Sequence, residues 1–297
     1  MLHYLPTSLI DLLGWTLIHS LWQLSAIAAA VVLALPLLRR VSANARYLLA
    51  CIALALMMLA PIATFTWLLA HAVQSPVTAA STPAAPIAFP ADLPATPLQV
   101  APLRRSPANV LLAFIEPRLP YAVLAYLAGA ALFSLRLFAG YARLRRLRRR
   151  AKPASPTLQQ RLTALMPRLR ITRPVRLLES TLVEVPTAFG ALRPIILLPA
   201  TAFTGLSPDQ LSALLAHELA HIRRHDYLIN LLQTLVETLL FYHPAIWWLS
   251  AHIRQEREHA CDDLALSAGI PRLTYAKALT EMESLRAPTS LAGIPFR

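Results

Sequence analysis

The chain has 297 residues, 56% of them hydrophobic and 14% charged, with a formal net charge of +13. Soluble domains average about 45–50% apolar and about 25% charged residues, so the composition excludes an ordinary soluble domain and points to membrane spans. Its two cysteines, Cys51 in an apolar run and Cys261 in a charged one, are not expected to pair.

Three apolar runs are predicted to span a membrane, each long enough for the roughly 20 residues that a spanning helix requires. The first, about 9–37, begins within the leader "MLHYLPTSLIDLL". This leader carries an aspartate and neither lysine nor arginine, so an uncleaved helix is expected rather than a signal peptide. The second, about 47–70, contains Pro61, which should kink the helix without ending it. The third, about 115–140, carries Arg136 near its far end, where the side chain can snorkel to the interface.

Basic residues orient these spans. Arg39, Arg40 and Arg46 lie between the first two, and "RLRRLRRR" (143–150) with Lys152 follows the third. Short cytoplasmic loops concentrate lysine and arginine. The N-terminus is therefore expected outside, in the cytoplasmic (inner) membrane, with everything beyond residue 141 in the cytoplasm. Arg104 and Arg105 fall on the outer side against this trend. The outer loop, 71–109, is rich in proline, alanine and threonine and reads as a polyproline-like linker. Residues 142–156 read as a polybasic linker. An arginine run directly after a span, with no interleaved aromatics, suits anionic membrane lipid better than nucleic acid, so direct nucleic-acid binding is not expected.

From 157 the sequence reads as a folded domain reaching 297. "PTLQQRLTALMPRLR" has helical spacing; "PVRLLES", "TLVEVP" and "PIILLPA" read as short strands. A helix then opens with Ser207 as N-cap, Pro208 at its first position and Asp209 in its first turn. It carries "AHELAHIRRHD", in which His217 and His221 lie four apart on one face. Two imidazoles so placed can bind one zinc ion, and Glu218 can act as general base on water that the ion activates. A histidine-rich face arising by chance has the same spacing, and His225 extends it. But Leu214, Leu215, Leu219 and Ile222 surround the motif, and burying these polar groups without partners is costly.

A catalytic zinc takes three protein ligands. Glu237, His243, His252, Glu256, Glu258 and His259 are downstream candidates for the third. "AIWWLSAHIRQEREHACDDLALSAG" reads as one helix, on which both Glu258/Asp262 and His252/Glu256 have i, i+4 spacing; spacing alone does not choose. The apolar run 227–251 reads as two helices hinged at His243–Pro244, with Trp247 and Trp248 in the core or at the interface.

"LLAHELAHIRRHDYLIN" and "FYHPAIWWLSAHIRQEREHACDDLAL" resemble the BlaR/MecR family of membrane-embedded metallopeptidases. So do "VPTAFGALRPIILLP" before the motif and "LIHSLWQ" and "ARYLLA" in the first two spans. The resemblance implies a mainly α membrane protein, with three or more transmembrane helices and a small α+β, gluzincin-like zinc peptidase domain. It implies zinc held by His217, His221 and Glu258, with Glu218 as base, Asp262 as the carboxylate supporting the site, and a structural role for Asp226. It also implies signal relay by cleavage of the protein itself or of a cytosolic transcriptional repressor, so the expected partners are membrane lipid and a protein substrate. A CaaX-like or quality-control metalloprotease, or a non-catalytic zinc scaffold, is the alternative. Well-known members add a further span and a penicillin-binding sensor domain. Here "LAGIPFR" follows soon after the zinc helices and no S-x-x-K motif occurs, so either the chain is a fragment or it senses something else, and direct antibiotic sensing is not supported.

The charge pattern makes a topological prediction. A reporter enzyme active only outside the cytoplasm should work when fused at residue 90 and fail at residue 155. The opposite pattern would overturn both the orientation and the cytoplasmic site.

Overall fold

The computed structural model describes residues 9–74, 107–200, 202 and 205–284. The membrane helices are α1 (Leu9–Ala34), α2 (Ala43–Gln74), α3 (Pro107–Ile115) and, after one 3-10 turn, α4 (Leu119–Arg150). Among the described residues, Leu9–Ala34, Ala43–Ala72 and Leu111–Arg150 are long and apolar enough to cross a membrane, and the chain is a membrane protein. Most of the expected outer loop, 75–106, lies outside the described residues. Pro61 sits inside α2 without ending it.

Two boundaries differ from expectation. Helix α2 starts at Ala43, ahead of the apolar run, because the Ser42 hydroxyl accepts from the Ala45 N–H and brings Asn44 and Arg46 into the first turns. The expected polybasic linker is not irregular over 142–150, since α4 runs unbroken to Arg150. Arginine is a good helix former, and Arg148, Arg149 and Arg150 suit the negative end of the helix dipole.

The described residues fall into two compact units. One comprises stretches up to Ala26 and from Met57 to Gly129; the other comprises Ile27–Leu56 and the chain from Ala130 onward. In the first, Gln23 donates to Thr64 Oγ1 at 2.8 Å, tying α1 to α2. Gly14 there permits a close helix approach: a Cβ would lie 2.9 Å from Leu119 Cδ2.

The second unit holds a four-stranded sheet in the order β1-β2-β4-β3. Its strands are β1 (Lys152–Pro153), β2 (Arg176–Ser180), β3 (Thr187–Phe189) and β4 (Ile195–Pro199). Only β2 and β4 pair in parallel; β1 and β3 are antiparallel edges. The expected strand at "TLVEVP" is displaced to Thr187–Phe189. Residues 181–186 turn, Pro186 has no N–H to give a ladder, and pairing begins one residue later with Thr187 opposite Leu197. Strand β4 is buried throughout. On one face Ile196 and Leu198 pack with Leu162, Leu215 and Leu219; on the other Ile195 and Leu197 meet Phe189, with Leu144 and Leu147 of α4 against them.

Further helices among the described residues are α5 (Pro156–Leu165), α6 (Pro208–Arg224), α7 (Asp226–Leu239), α8 (Pro244–Ser267) and α9 (Arg272–Ser284). Ser207 caps α6 in a full capping box: its hydroxyl accepts from Gln210 N–H, and Gln210 Oε1 accepts from Ser207 N–H. The apolar run 227–251 is divided as expected, with His243 capping α8 and Pro244 at its first position. Helix α6 lies centrally, in contact with α5, α7, α8, α9 and β3. Fully buried Leu215 and Leu219 each contribute about 1.5–3 kcal/mol to holding it there. Both cysteines are free.

Gly190 ends β3 with φ +95°, and an added Cβ would sit 2.8 Å from the Arg193 carbonyl oxygen. Gly269, after α8, has φ +86° but nothing within 4 Å. Gly190→Ala should therefore destabilise by about 1–3 kcal/mol, and by more than Gly269→Ala. Thermal unfolding in detergent reads the difference, and equal shifts would show that the β3–β4 turn relaxes around the new methyl.

Candidate metal centre

Helix α6 turns His217 and His221 toward α8, which presents Glu258 opposite them. The two Nε2 atoms are 3.2 Å apart, and Glu258 Oε2 lies 3.6 Å from that of His217 and 3.7 Å from that of His221. Ligands about 2.0–2.1 Å from a tetrahedral zinc are separated by about 3.4 Å, so this triangle has the size such an ion requires.

The other ring nitrogens show why those three atoms converge. His221 Nδ1 lies 2.8 Å from Asp226 Oδ2. His217 Nδ1 lies 2.7 Å from the Tyr275 hydroxyl and 3.2 Å from Asp262 Oδ1, while Tyr275 itself donates to Asp262 at 2.6 Å. Acceptors beside each Nδ1 place the proton there and leave both Nε2 lone pairs aimed at each other. Two lone pairs at 3.2 Å repel unless a cation or an extra proton lies between them, so the donor set fits a metal ion.

Titration behaviour follows from the same contacts. Burial opposes charge on His217, but hydrogen bonds to Asp262 and Glu258 and the field of Glu218 outweigh it and push the imidazolium up to about 10. Burial also opposes ionisation of Glu258, yet the hydrogen bond from His217 with His221 and Arg257 brings it down to about 2. Asp262 is likewise lowered, against its burial, by bonds from His217 and Tyr275. Glu218 is the exception. It is 5% exposed, and burial holds its carboxyl above the usual range although both histidines and a backbone hydrogen bond at Ala188 act the other way.

The structure separates the two i, i+4 pairs that spacing left open. Glu258 and Asp262 face the histidines. Glu256 instead pairs with Arg46, with His252 and His259 nearby at 4.0 and 3.8 Å. Glu237 is engaged by Arg254 at 2.8 Å, and His243 caps α8. His225 leaves the histidine face altogether: it takes a left-handed conformation, φ 61°, that ends α6 and returns Asp226 beneath His221. Cys261 donates to Asp226 at 3.1 Å and lies 3.3 Å from His221 Nδ1. Burial and Asp226 push its thiol up. With His221 and Asp226 it forms a second cluster of donor atoms. The 2.8 Å His221–Asp226 distance there is that of a hydrogen bond and is too short for two zinc ligands.

Two features escape sequence reasoning. Tyr275, on α9, carries no motif signal, and the role of Asp226 in orienting His221 depends on the bend at His225. A groove beside the centre is lined by β3 with its flanking turn, by Glu218 and by Arg254, Gln255 and Glu258 of α8.

The sequence matches the BlaR1 peptidase M56 family over residues 15–294, and the chain belongs to that family. It is 32% identical over 124 residues to regulatory protein BlaR1 of Bacillus licheniformis, covering 41% of this chain and 20% of that protein. It is 24% identical over 83 residues to the methicillin resistance MecR1 protein of Staphylococcus aureus, covering 28% of this chain and 14% of that one. The matches thus span a fifth or less of these relatives.

The raised His217 sets a pH dependence for the metal-free protein. Stabilisation by its charge is complete below the ordinary imidazole value of about 6.5 and is lost as pH rises toward about 10. The Tm of chelator-treated protein should fall from pH 7 to 9. A divalent ion entering at pH 7 should expel about one proton, read by calorimetry in buffers of differing ionisation enthalpy. A flat Tm with no proton release would mean that His217 is neutral.

Proposed function

We propose that this member of the BlaR1 peptidase M56 family is a zinc-dependent membrane endopeptidase. In it His217, His221 and Glu258 hold the ion, Glu218 is the general base, and Asp262 and Asp226 fix the ring orientations. The observation that carries this reading is the pair of facing Nε2 atoms closed by Glu258, with a buried glutamate next in sequence to the first histidine. A bound zinc ion supplies Lewis acidity, polarising a peptide carbonyl and acidifying water.

The chain's own groups do the rest. Burial holds the Glu218 carboxyl above the usual range, which suits a base that must take a proton near neutral pH and give it to the leaving amine. Asp226 and the Asp262–Tyr275 pair keep both Nδ1 positions occupied, so neither ring can turn its Nε2 away. Strand β3 is an edge of the sheet bordering the groove, where an extended substrate segment can pair along the backbone beside Glu218.

The substrate in this reading is a protein: this chain itself or a cytosolic transcriptional repressor, cleaved to relay a signal across the inner membrane. The relatives named as a regulatory and a resistance protein support that direction. The N-terminus lies outside and the peptidase domain, 157–297, in the cytoplasm, with the arginines closing α4 against anionic lipid. A zinc scaffold would have no use for a glutamate buried beside the ligands, where burial raises its free energy; Glu218 therefore favours the enzyme.

Replacing Glu218 by glutamine keeps the shape and removes the base. Zinc content should persist, while proteolysis should fall by about 10²–10⁴-fold. The measurement is cleavage of the protein itself, or of a candidate repressor, in membranes. Equal signalling by both chains, with fragments from neither, would replace the enzyme with a scaffold.

A further inference from the structure

The start of membrane helix α2 lies in the same compact unit as the metal centre, and it touches the residues behind that centre at two places. At the first, Arg46 Nε is 3.0 Å from both Glu256 oxygens and Arg46 Nη2 is 2.9 Å from Oε2. Arg46 Nη1 donates to the Val41 carbonyl at 2.7 Å, which anchors the guanidinium from its own side. Glu256 is 5% exposed and stands two residues before Glu258, about 200° away around α8. A bidentate pair on that far face fixes the rotation of α8 and so the direction of Glu258.

At the second place, Tyr47 approaches Asp226, the acceptor for His221 Nδ1. Its hydroxyl lies 3.5 Å from Asp226 Oδ1 while Oδ2 takes the histidine. The Arg224 guanidinium lies over the Tyr47 ring, 4.6 Å from its centroid, donates to Asn44 Oδ1 at 2.6 Å and meets Asp226 Oδ1 at 3.5 Å. Asp226 is thus gripped on one oxygen by residues of α2 and α6 and holds His221 with the other.

We propose that Arg46 and Tyr47, on the first turns of a membrane helix, are positioning residues for the metal centre. Arg46 aims Glu258 through Glu256, and Tyr47 with Arg224 aims His221 through Asp226. Two of the three ligands are then set from one membrane helix, and any change in its seating reaches the site through these two contacts. This inference rests on the zinc peptidase reading and adds to it a route by which the membrane region governs the site.

The test uses the full chain in detergent or nanodiscs. Zinc affinity is measured by chelator competition, and the visible absorption of the cobalt-substituted protein is recorded. Arg46→Gln should weaken zinc binding about tenfold or more and shift the cobalt bands, because the loss of a group that orients ligands typically costs 10–100-fold in metal affinity. Arg46→Lys should restore part of both. Tyr47→Phe, which removes one oxygen and keeps the ring under Arg224, should move both readouts the same way by less. If Arg46→Gln does not fold, Tyr47→Phe decides. Variants with wild-type zinc affinity and cobalt spectra, whatever their Tm, would overturn the positioning role and leave the peptidase reading intact. A wild-type chain that takes up neither zinc nor cobalt would remove the metal reading, and this inference with it.

Discussion

Two imidazole lone pairs held 3.2 Å apart are the constraint from which the rest of this centre follows. They stay there because each ring is pinned at its other nitrogen, by Asp226 in one case and by Asp262 with Tyr275 in the other. Pinning His221 requires the left-handed residue at His225, which ends α6 one residue before Asp226. Pinning His217 requires α9 to pack against α6, which brings Tyr275 within reach of both His217 and Asp262. A cation entering between the two lone pairs would therefore meet a scaffold already in place.

The same constraint explains why polar chemistry sits in so apolar a chain. Around His217 and His221 stand the carboxyls of Glu218, Asp226, Glu258 and Asp262, while the nearest fixed cations, Arg224 and Arg257, pair with Asp226 and Glu258. Anionic groups are in excess, and at low dielectric such an excess draws a cation strongly. The three long helices concentrate hydrophobic residues, and the end of α4 and the α1–α2 connection concentrate positive ones. The charge that sets the overall balance and the charge that sets the site are different residues.

Sequence reached the elements whose signals are local. The three long helices, the Ser207–Pro208 start of α6, the division at His243–Pro244 and the i, i+4 histidines are all written within a few residues. What it missed depends on partners far along the chain. Strand β1 exists only because β2 offers it an edge, and β3 is displaced because register with β4 overrides the apolar pattern of "TLVEVP". The spacing of Glu256 equals that of Glu258, and only Arg46, 210 residues away, distinguishes them by drawing Glu256 to the far side of α8. Resemblance to a known family chose Glu258 where spacing could not. Tyr275 had no signal because a tyrosine on an amphipathic helix is ordinary core until its hydroxyl is seen between a histidine and an aspartate.

An edge strand left open beside a buried carboxylate is itself an unusual combination. Unpaired edges invite aggregation, and proteins blunt them with short strands, prolines and bends. Strand β3 has all three devices: three residues, Pro186 just before it and the positive-φ turn at Gly190 just after. Yet this edge is the one placed against α6, with Ala188 hydrogen-bonded to Glu218 and the groove running alongside. A strand long enough to pair indiscriminately would be a liability there. One of three residues offers only a few peptide units of ladder beside the groove. The limits on β3 and its contact with α6 thus leave, beside the buried Glu218, a backbone edge too short to pair indiscriminately.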